Sequence, residues 1–261
     1  MGIVNCTPDS FSDGGRFLDG YDALAEAERQ LSDGAAIIDV GGESTRPGAA
    51  RVADDEEQRR VIPVLSELRR RHPEAVLSVD TTKVSVAAAA LDAGVDIVND
   101  VSAAAEPGML ELVAGSAAAL ILMHRRGTPE TMQADTRYDD VVAEVHGALR
   151  DSAERAAAAG IDGDRIWLDP GIGFGKDDAG NLALMAAFPD LASFGHPVVL
   201  GPSRKSFIGR LTGAGVDDRL PGTLASLIPA VGLERTVVRV HDPAAAIQFL
   251  DIARRLVGAA A

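Results

Sequence analysis

Carboxylates, amides and a few cations recur directly behind short apolar runs. The residues in those places are Asn5, Gly42 with Glu43, Asp80, Asn99 with Asp100, His124, Asp169, Ser203 with Lys205, and Arg239 with His241. Any one alone is ordinary, because turns are polar and such side chains also cap helices. Together they have a chemistry. Asp80, Asn99 and Asp169 offer acceptors and one amide that both gives and takes hydrogen bonds. A carboxylate accepts two parallel N–H bonds from a guanidine-like edge, so a flat heterocycle carrying that edge is a matching ligand. Lys205 and Arg239 add donors, and a guanidinium also stacks on rings. Asn5, Arg46 and His241 would face a phosphorylated tail.

Other chemistries fit less well. The five histidines are scattered, and none pairs with another at zinc-ligand spacing. Asn5 with a phosphate oxygen suits Mg2+, which prefers oxygen ligands and keeps its waters. The stretch GIGFGK, 171–176, resembles a nucleotide loop but has three residues between Gly171 and Gly175 where a Walker loop has four. Asp177 stands where that loop needs Ser or Thr, and the dinucleotide spacing is absent as well. Its glycines are expected to let a loop turn tightly and bring backbone near a ligand. Ser203 and Cys6 have no identifiable base beside them, so neither reads as a nucleophile.

The elements that must position these groups are legible as eight apolar runs: GIV, AAIIDV, AVLSV, DIV, AALILM, RIWL, PVVL and TVVRV. Each is short and rich in β-branched residues or leucine, as in parallel strands buried on both faces. Helical segments lie between them. Ala23 to Leu31 is rich in Ala, Glu and Arg, with Gly34 as a stop. Asp54 to Arg71 opens with acids and closes with arginines, which complements the helix dipole. Its Val61, Leu65 and Leu68 share a face, while Pro63 predicts a kink or a late start. Asp139 to Ala159 is helical in composition, as is Ala244 to Leu256, where Ala246, Phe249, Leu250, Ala253 and Leu256 form one stripe. This alternation predicts an α/β protein with a (β/α)8 barrel as one domain over residues 1–261. In such a barrel the active site lies at the C-terminal strand ends, where the polar residues stand.

Composition narrows the partners. A hydrophobic content of 46% supports a sizeable core. The formal charge of −14 argues against general nucleic-acid binding, which uses cationic surface to displace counterions. Against that acidic background there are three lysines, Lys83, Lys176 and Lys205, each close behind an apolar run. Local positive charge of this kind suits a small anionic ligand. No apolar run reaches the roughly 18 residues of a membrane-spanning helix, and MGIVNCTPDSF has no secretory pattern. With Cys6 as the lone cysteine, the expectation is a cytoplasmic enzyme without membrane partner.

Over nearly its whole length the chain resembles the dihydropteroate synthases. The matching segments are MGIVNCTPDSFSDGG, DVGGESTRPGA, SVDTTK, IVND, LMHRRGTPETMQ, LDPGIGFGK, LGPSRKSFIG and VRVHD, in that order. The resemblance implies a pterin ring held by Asp80, Asn99, Asp169 and Lys205, with Met123 and Arg239 near its faces. It implies a diphosphate met by Asn5, Arg46, Arg239, His241 and a Mg2+ ion. It further implies two closing loops, Thr7 to Gly15 and Ser44 to Gly48. Phe11, Thr45 and Pro47, with Phe174, Ser203 and Lys205, would shape a p-aminobenzoate pocket, and Asp13, Arg46, Lys205 and His241 would assist catalysis. A homodimer is the implied assembly. Cys6, Arg125, Pro202 and Pro243 depart from the family's ordinary choices, and the family usually carries extra residues ahead of the first strand. Two alternatives use the same pterin grip: a pterin-dependent methyltransferase of similar fold, and a non-catalytic pterin binder. The STRPG and RVHD segments favour the synthase over the first, and the presence of both Asp13 and Arg46 counts against the second.

Overall fold

The computed structural model describes residues 1–7, 18–46 and 48–259. All eight apolar runs are strands: β1 (Gly2–Asn5), β2 (Ile37–Gly41), β3 (Val76–Asp80), β4 (Ile97–Asp100), β5 (Ala119–Met123), β6 (Ile166–Asp169), β7 (Val198–Leu200) and β8 (Thr236–Val238). They pair in parallel, in sequence order, as one eight-stranded sheet. Parallel pairing requires a crossover between neighbours, and helices supply it. These are α1 (Leu18–Ser32), α2 (Asp54–Arg71), α3 (Val84–Asp92), α4 (Met109–Ala114) and α5 (Val141–Ala158). They continue with α6 (Asp178–Ala186), α7 (Phe188–Ala192), α8 (Ser206–Thr212), α9 (Leu220–Ala225) and α10 (Pro243–Ala259).

Strand alternation sorts the apolar residues into two sets. Ile38, Val40, Leu77, Val79, Val98, Leu120, Leu122, Leu168, Val198 and Leu200 join the main core, which includes Val61, Leu65 and Leu68 of α2 and Leu149 of α5. Met1, Ile37, Ile97, Ile121 and Val199 form a separate cluster with Ala119, Trp167 and Val237. That second set comes from strands and the residue before β1, so it fills the other face of the curled sheet. The edges meet: Ile3 N donates to Val240 O and Val240 N to Met1 O, each at 3.0 Å, beside a parallel bridge between Gly2 and Val240.

Local expectations fare unevenly. α2 begins at the expected Asp54 and carries Pro63 inside it, so the proline does not delay the start. Asp177, which spoils the nucleotide-loop pattern, is the N-cap of α6 and accepts from Gly180 N. The expected stripe of α10 is only partly used. Ala246 is buried, but Leu256 is 67% exposed, so the last turns of the helix leave the core.

Candidate active site

Strand register brings the predicted residues into line. Asn5 is opposite Gly41, Gly41 opposite Asp80, and Asp80 opposite Asn99 across β1 to β4. Met123 is opposite Asp169 across β5 and β6. Side chains two apart share a face of a strand. Asp80, Asn99, Met123 and Asp169 therefore all turn to the face that carries the Met1, Ile37 and Ile121 cluster. Beyond that cluster opens a cavity lined by Thr45, Asp80, Asn99, Met123, Asp169, Phe174, Lys205 and Arg239, with Val101, Gly171, Ile172 and Gly201.

Behind the lining residues Asn99 and Arg239 stands a carboxylate that the row of strand-end residues does not include. Asp39 is fully buried. Its carboxylate accepts from Arg239 Nε at 2.6 Å, Asn99 Nδ2 at 2.9 Å and Ser78 Oγ at 2.6 Å. Arg239 Nη2 also donates to Asp80 Oδ2 at 2.8 Å. Burial opposes the charge on Arg239, but Asp39 and Asp80 hold its pKa above the ordinary arginine range. The Asn99 donor is directed at Asp39, which leaves its oxygen to accept from a ligand. Asp39 lies inside the run AAIIDV, and there was a signal for it. It shares the parity of Ile37 and Gly41, and a carboxylate in a strand buried on both faces needs partners.

The remaining charges are poised against burial. Asp80 is pushed up to about 7 by burial, with Arg239 pulling the other way. Burial also raises Asp169, against a 2.7 Å bond from Gly171 N and the nearby charge of Lys205. Lys205 is lowered to about 7 by burial, against Asp169. Its Nζ donates to Ile172 O at 2.5 Å and lies 3.8 Å from the centroid of the Phe174 ring. Two carboxylates raised by burial, beside a lysine lowered to about 7, mark a functional site on physical grounds.

Ser203 and His241 meet beside this cavity. The backbone N–H of His241 donates to Ser203 Oγ at 3.1 Å, and the same hydroxyl shares a hydrogen bond of 2.8 Å with His241 Nδ1. Burial, then the charges of Arg239 and Arg204, lower His241 to about 4. At neutral pH it is therefore an uncharged N–H donor rather than a cation. Arg46 is exposed and does not line the cavity, yet its charge also acts on His241, so the two lie on one side of the site. The loop carrying Thr45 and Arg46 is tied by Gly48 N to Pro129 O at 2.9 Å.

Other strand-end residues go elsewhere. Asp100, next to Asn99 and so on the opposite face, bonds to Ser102. Glu43 pairs with Lys83 at 2.6 Å, and His124 Nδ1 meets Lys176 Nζ at 3.1 Å. Asn5 ends β1 half-buried, and its side chain makes no hydrogen bond among the described residues. No group of three or more His, Cys, Asp or Glu that could hold a metal occurs among the described residues. Phe11, Asp13 and Pro47, with most of the Thr7 to Gly15 loop, lie outside the described residues.

Comparison with known proteins agrees with this chemistry. Residues 1–241 match the family described as pterin binding enzyme. The dihydropteroate synthase of Escherichia coli (strain K12) is 43% identical over 252 residues, covering 97% of this chain and 89% of the relative. The Yersinia pestis dihydropteroate synthase, solved as a sulfonamide drug complex, superposes with a TM-score of 0.92 at 41% identity. That alignment covers 98% of this chain and 93% of the other. The Xanthomonas albilineans dihydropteroate synthase in complex with 7,8-dihydropteroate gives a TM-score of 0.87 at 42% identity, covering 98% and 92%.

Proposed function

The chain belongs to the dihydropteroate synthases of the pterin binding enzyme family, and from that membership we propose how its cavity performs the family reaction. It condenses 6-hydroxymethyl-7,8-dihydropterin diphosphate with p-aminobenzoate, releasing diphosphate and 7,8-dihydropteroate. The observation that carries this reading is the convergence of Asp80, Asn99, Asp169 and Lys205 on one cavity beside Arg239. The scaffold is read as a closed (β/α)8 barrel of a single domain, supported by the bonds between β1 and Val240.

Asp169, and Asp80 on its unpaired oxygen, take the N–H edge of the pterin, and the oxygen of Asn99 takes another N–H. Lys205 supplies a donor to a ring acceptor, while Met123 and the Arg239 guanidinium pack against the ring faces. Diphosphate leaves the methylene carbon as the weak aryl amine attacks it. An electron-rich pterin shares the developing positive charge, so a dissociative path is favoured. The carboxylates of Asp80 and Asp169 face that charge, and fixed charges aimed at groups that change charge are commonly the largest catalytic contribution.

Departing negative charge is met by Arg46 and by His241. Asn5 offers one amide oxygen with no competing partner among the described residues, a donor set that fits Mg2+ only when the diphosphate and water complete the shell. Such an ion would neutralise diphosphate charge. Thr45, Phe174 and Ser203 shape the p-aminobenzoate side, together with Phe11 and Pro47, and Asp13 assists on the closing loop. Closure of the loops excludes water, which would otherwise capture the cation.

The test is direct. Purified protein with Mg2+, pterin diphosphate and p-aminobenzoate is expected to release diphosphate and dihydropteroate in equal amounts. A sulfonamide is expected to compete with the amine. Diphosphate released at the same rate without the amine would mean hydrolysis and would overturn the condensation.

A further inference from the structure

The stretch GIGFGK matches no nucleotide loop, and its lysine does not line the cavity. Lys176 is nevertheless only 1% exposed. Its Nζ donates to Gly171 O and Phe174 O at 2.9 Å each and to His124 O at 3.3 Å, and it lies 3.1 Å from His124 Nδ1. Among the described residues no carboxylate pairs with it. A buried ammonium is costly unless its N–H groups are met, and here backbone carbonyls and one imidazole nitrogen meet them. The loop must wind tightly to present those carbonyls. Gly171, Gly173 and Gly175 have φ of +65°, +86° and +69°, and a Cβ on Gly171 would fall 1.9 Å from His124 O.

The same loop is what touches the charged groups of the cavity. Gly171 N donates to Asp169, and Ile172 O accepts from Lys205. The Phe174 ring lies against the Lys205 ammonium, and a Cβ on Gly173 would stand 2.7 Å from Lys205 Cδ. Among the described residues, both partners that hold the Lys205 ammonium therefore come from the segment wrapped around Lys176.

We propose that Lys176 is a positioning residue for the reaction: it gathers the loop carbonyls so that Ile172 O and the Phe174 ring hold Lys205 in the pterin site. This deepens the reading above and rests on it for the identity of the ligand. Lys176 touches no substrate. It acts through Lys205.

A chain with three lysines permits a direct readout, because 15N and 13C labelling of lysine side chains yields three sets of resonances. Spectra are taken below the value of about 7 to which burial lowers both Lys176 and Lys205, where both are charged. Lys176→Met is expected to shift the Lys205 resonances and leave those of Lys83 in place. It should also weaken pterin binding roughly tenfold in the parent background and have little further effect in a Lys205→Ala background, as expected of two coupled residues. Unmoved Lys205 resonances, or the same loss in both backgrounds, would overturn the proposal. If Lys176→Met does not fold, Tyr138→Phe decides instead. It removes the 2.9 Å bond from Tyr138 to Gly175 O at the far end of the loop and should move Lys205 in the same direction by less. A parent protein that binds no pterin would strike the functional reading, while the Lys205 resonances would still report on the linkage.

Discussion

Asp169 and Lys205 illustrate how a buried charge acquires a role. Asp169 has one backbone donor at 2.7 Å and the Lys205 charge nearby, and burial raises it. A ligand that brings its own N–H pair satisfies a carboxylate already removed from water, so the cost of desolvation has been met before binding. Asp169→Ala is expected to weaken pterin binding by roughly 3–5 kcal/mol, the usual loss when one partner of a buried charged pair is removed. Isothermal titration with unchanged pterin affinity would exclude the role. Lys205 gives a second prediction, in stability rather than binding. The unfolded chain holds its proton up to about 10.5 and the folded chain only to about 7, so the unfolded state binds more protons between those values. Stability therefore rises with pH across that window. Lys205→Met removes the contribution, so any stability advantage it has near neutral pH should shrink as pH approaches 10.5. Urea unfolding at several pH values measures this, and a gap that stays constant would contradict the burial of the ammonium.

Among the elements, loops decide the chemistry that the strands only point towards. The segment after β2 places Thr45 in the cavity and leaves Arg46 exposed on the side of His241. Arg46→Ala is accordingly expected to lower kcat by roughly 10- to 100-fold while changing pterin affinity little, the pattern of an interaction made mainly during reaction. Equal losses in kcat and in pterin binding would speak against it. The strands and long helices were legible from β-branched runs and from charge placement, as the match of α2 to Asp54–Arg71 illustrates. The helix α10 covers the expected stretch, but its far end is exposed, because an apolar stripe states which face is greasy, not how far the neighbouring layer extends. The fate of Asp100 was likewise hidden, since adjacent strand residues face opposite ways and only register identifies the inner one.

For the molecule as a whole, buried charge networks join elements that the apolar core would otherwise hold only by contact. Lys83, at the start of α3, is 1% exposed and pairs with Glu57 of α2 and with Glu43 behind β2. Lys83→Met would leave two carboxylates facing each other without a cation, one of them fully buried. The expected loss is about 3–5 kcal/mol of stability, read from urea unfolding at neutral pH. A milder loss is expected when Glu57→Gln is added, because the uncompensated charge goes too. A double variant no more stable than the single one would show that packing, not charge, sets the cost.

The sequence by itself determined the alternation of strand and helix, the row of polar residues behind the strands, and the family those residues resemble. Each of these rests on local rules of periodicity, turn chemistry and spacing. Only the tertiary structure decided which polar residues share a cavity, because that depends on register across eight strands and on the face each side chain takes. It also brought in Asp39 as the partner of Arg239, two residues 200 positions apart. It made His241 neutral and drew Lys176 into the support of Lys205. Charge state follows from burial and from neighbours distant in the chain, and no window of sequence contains either.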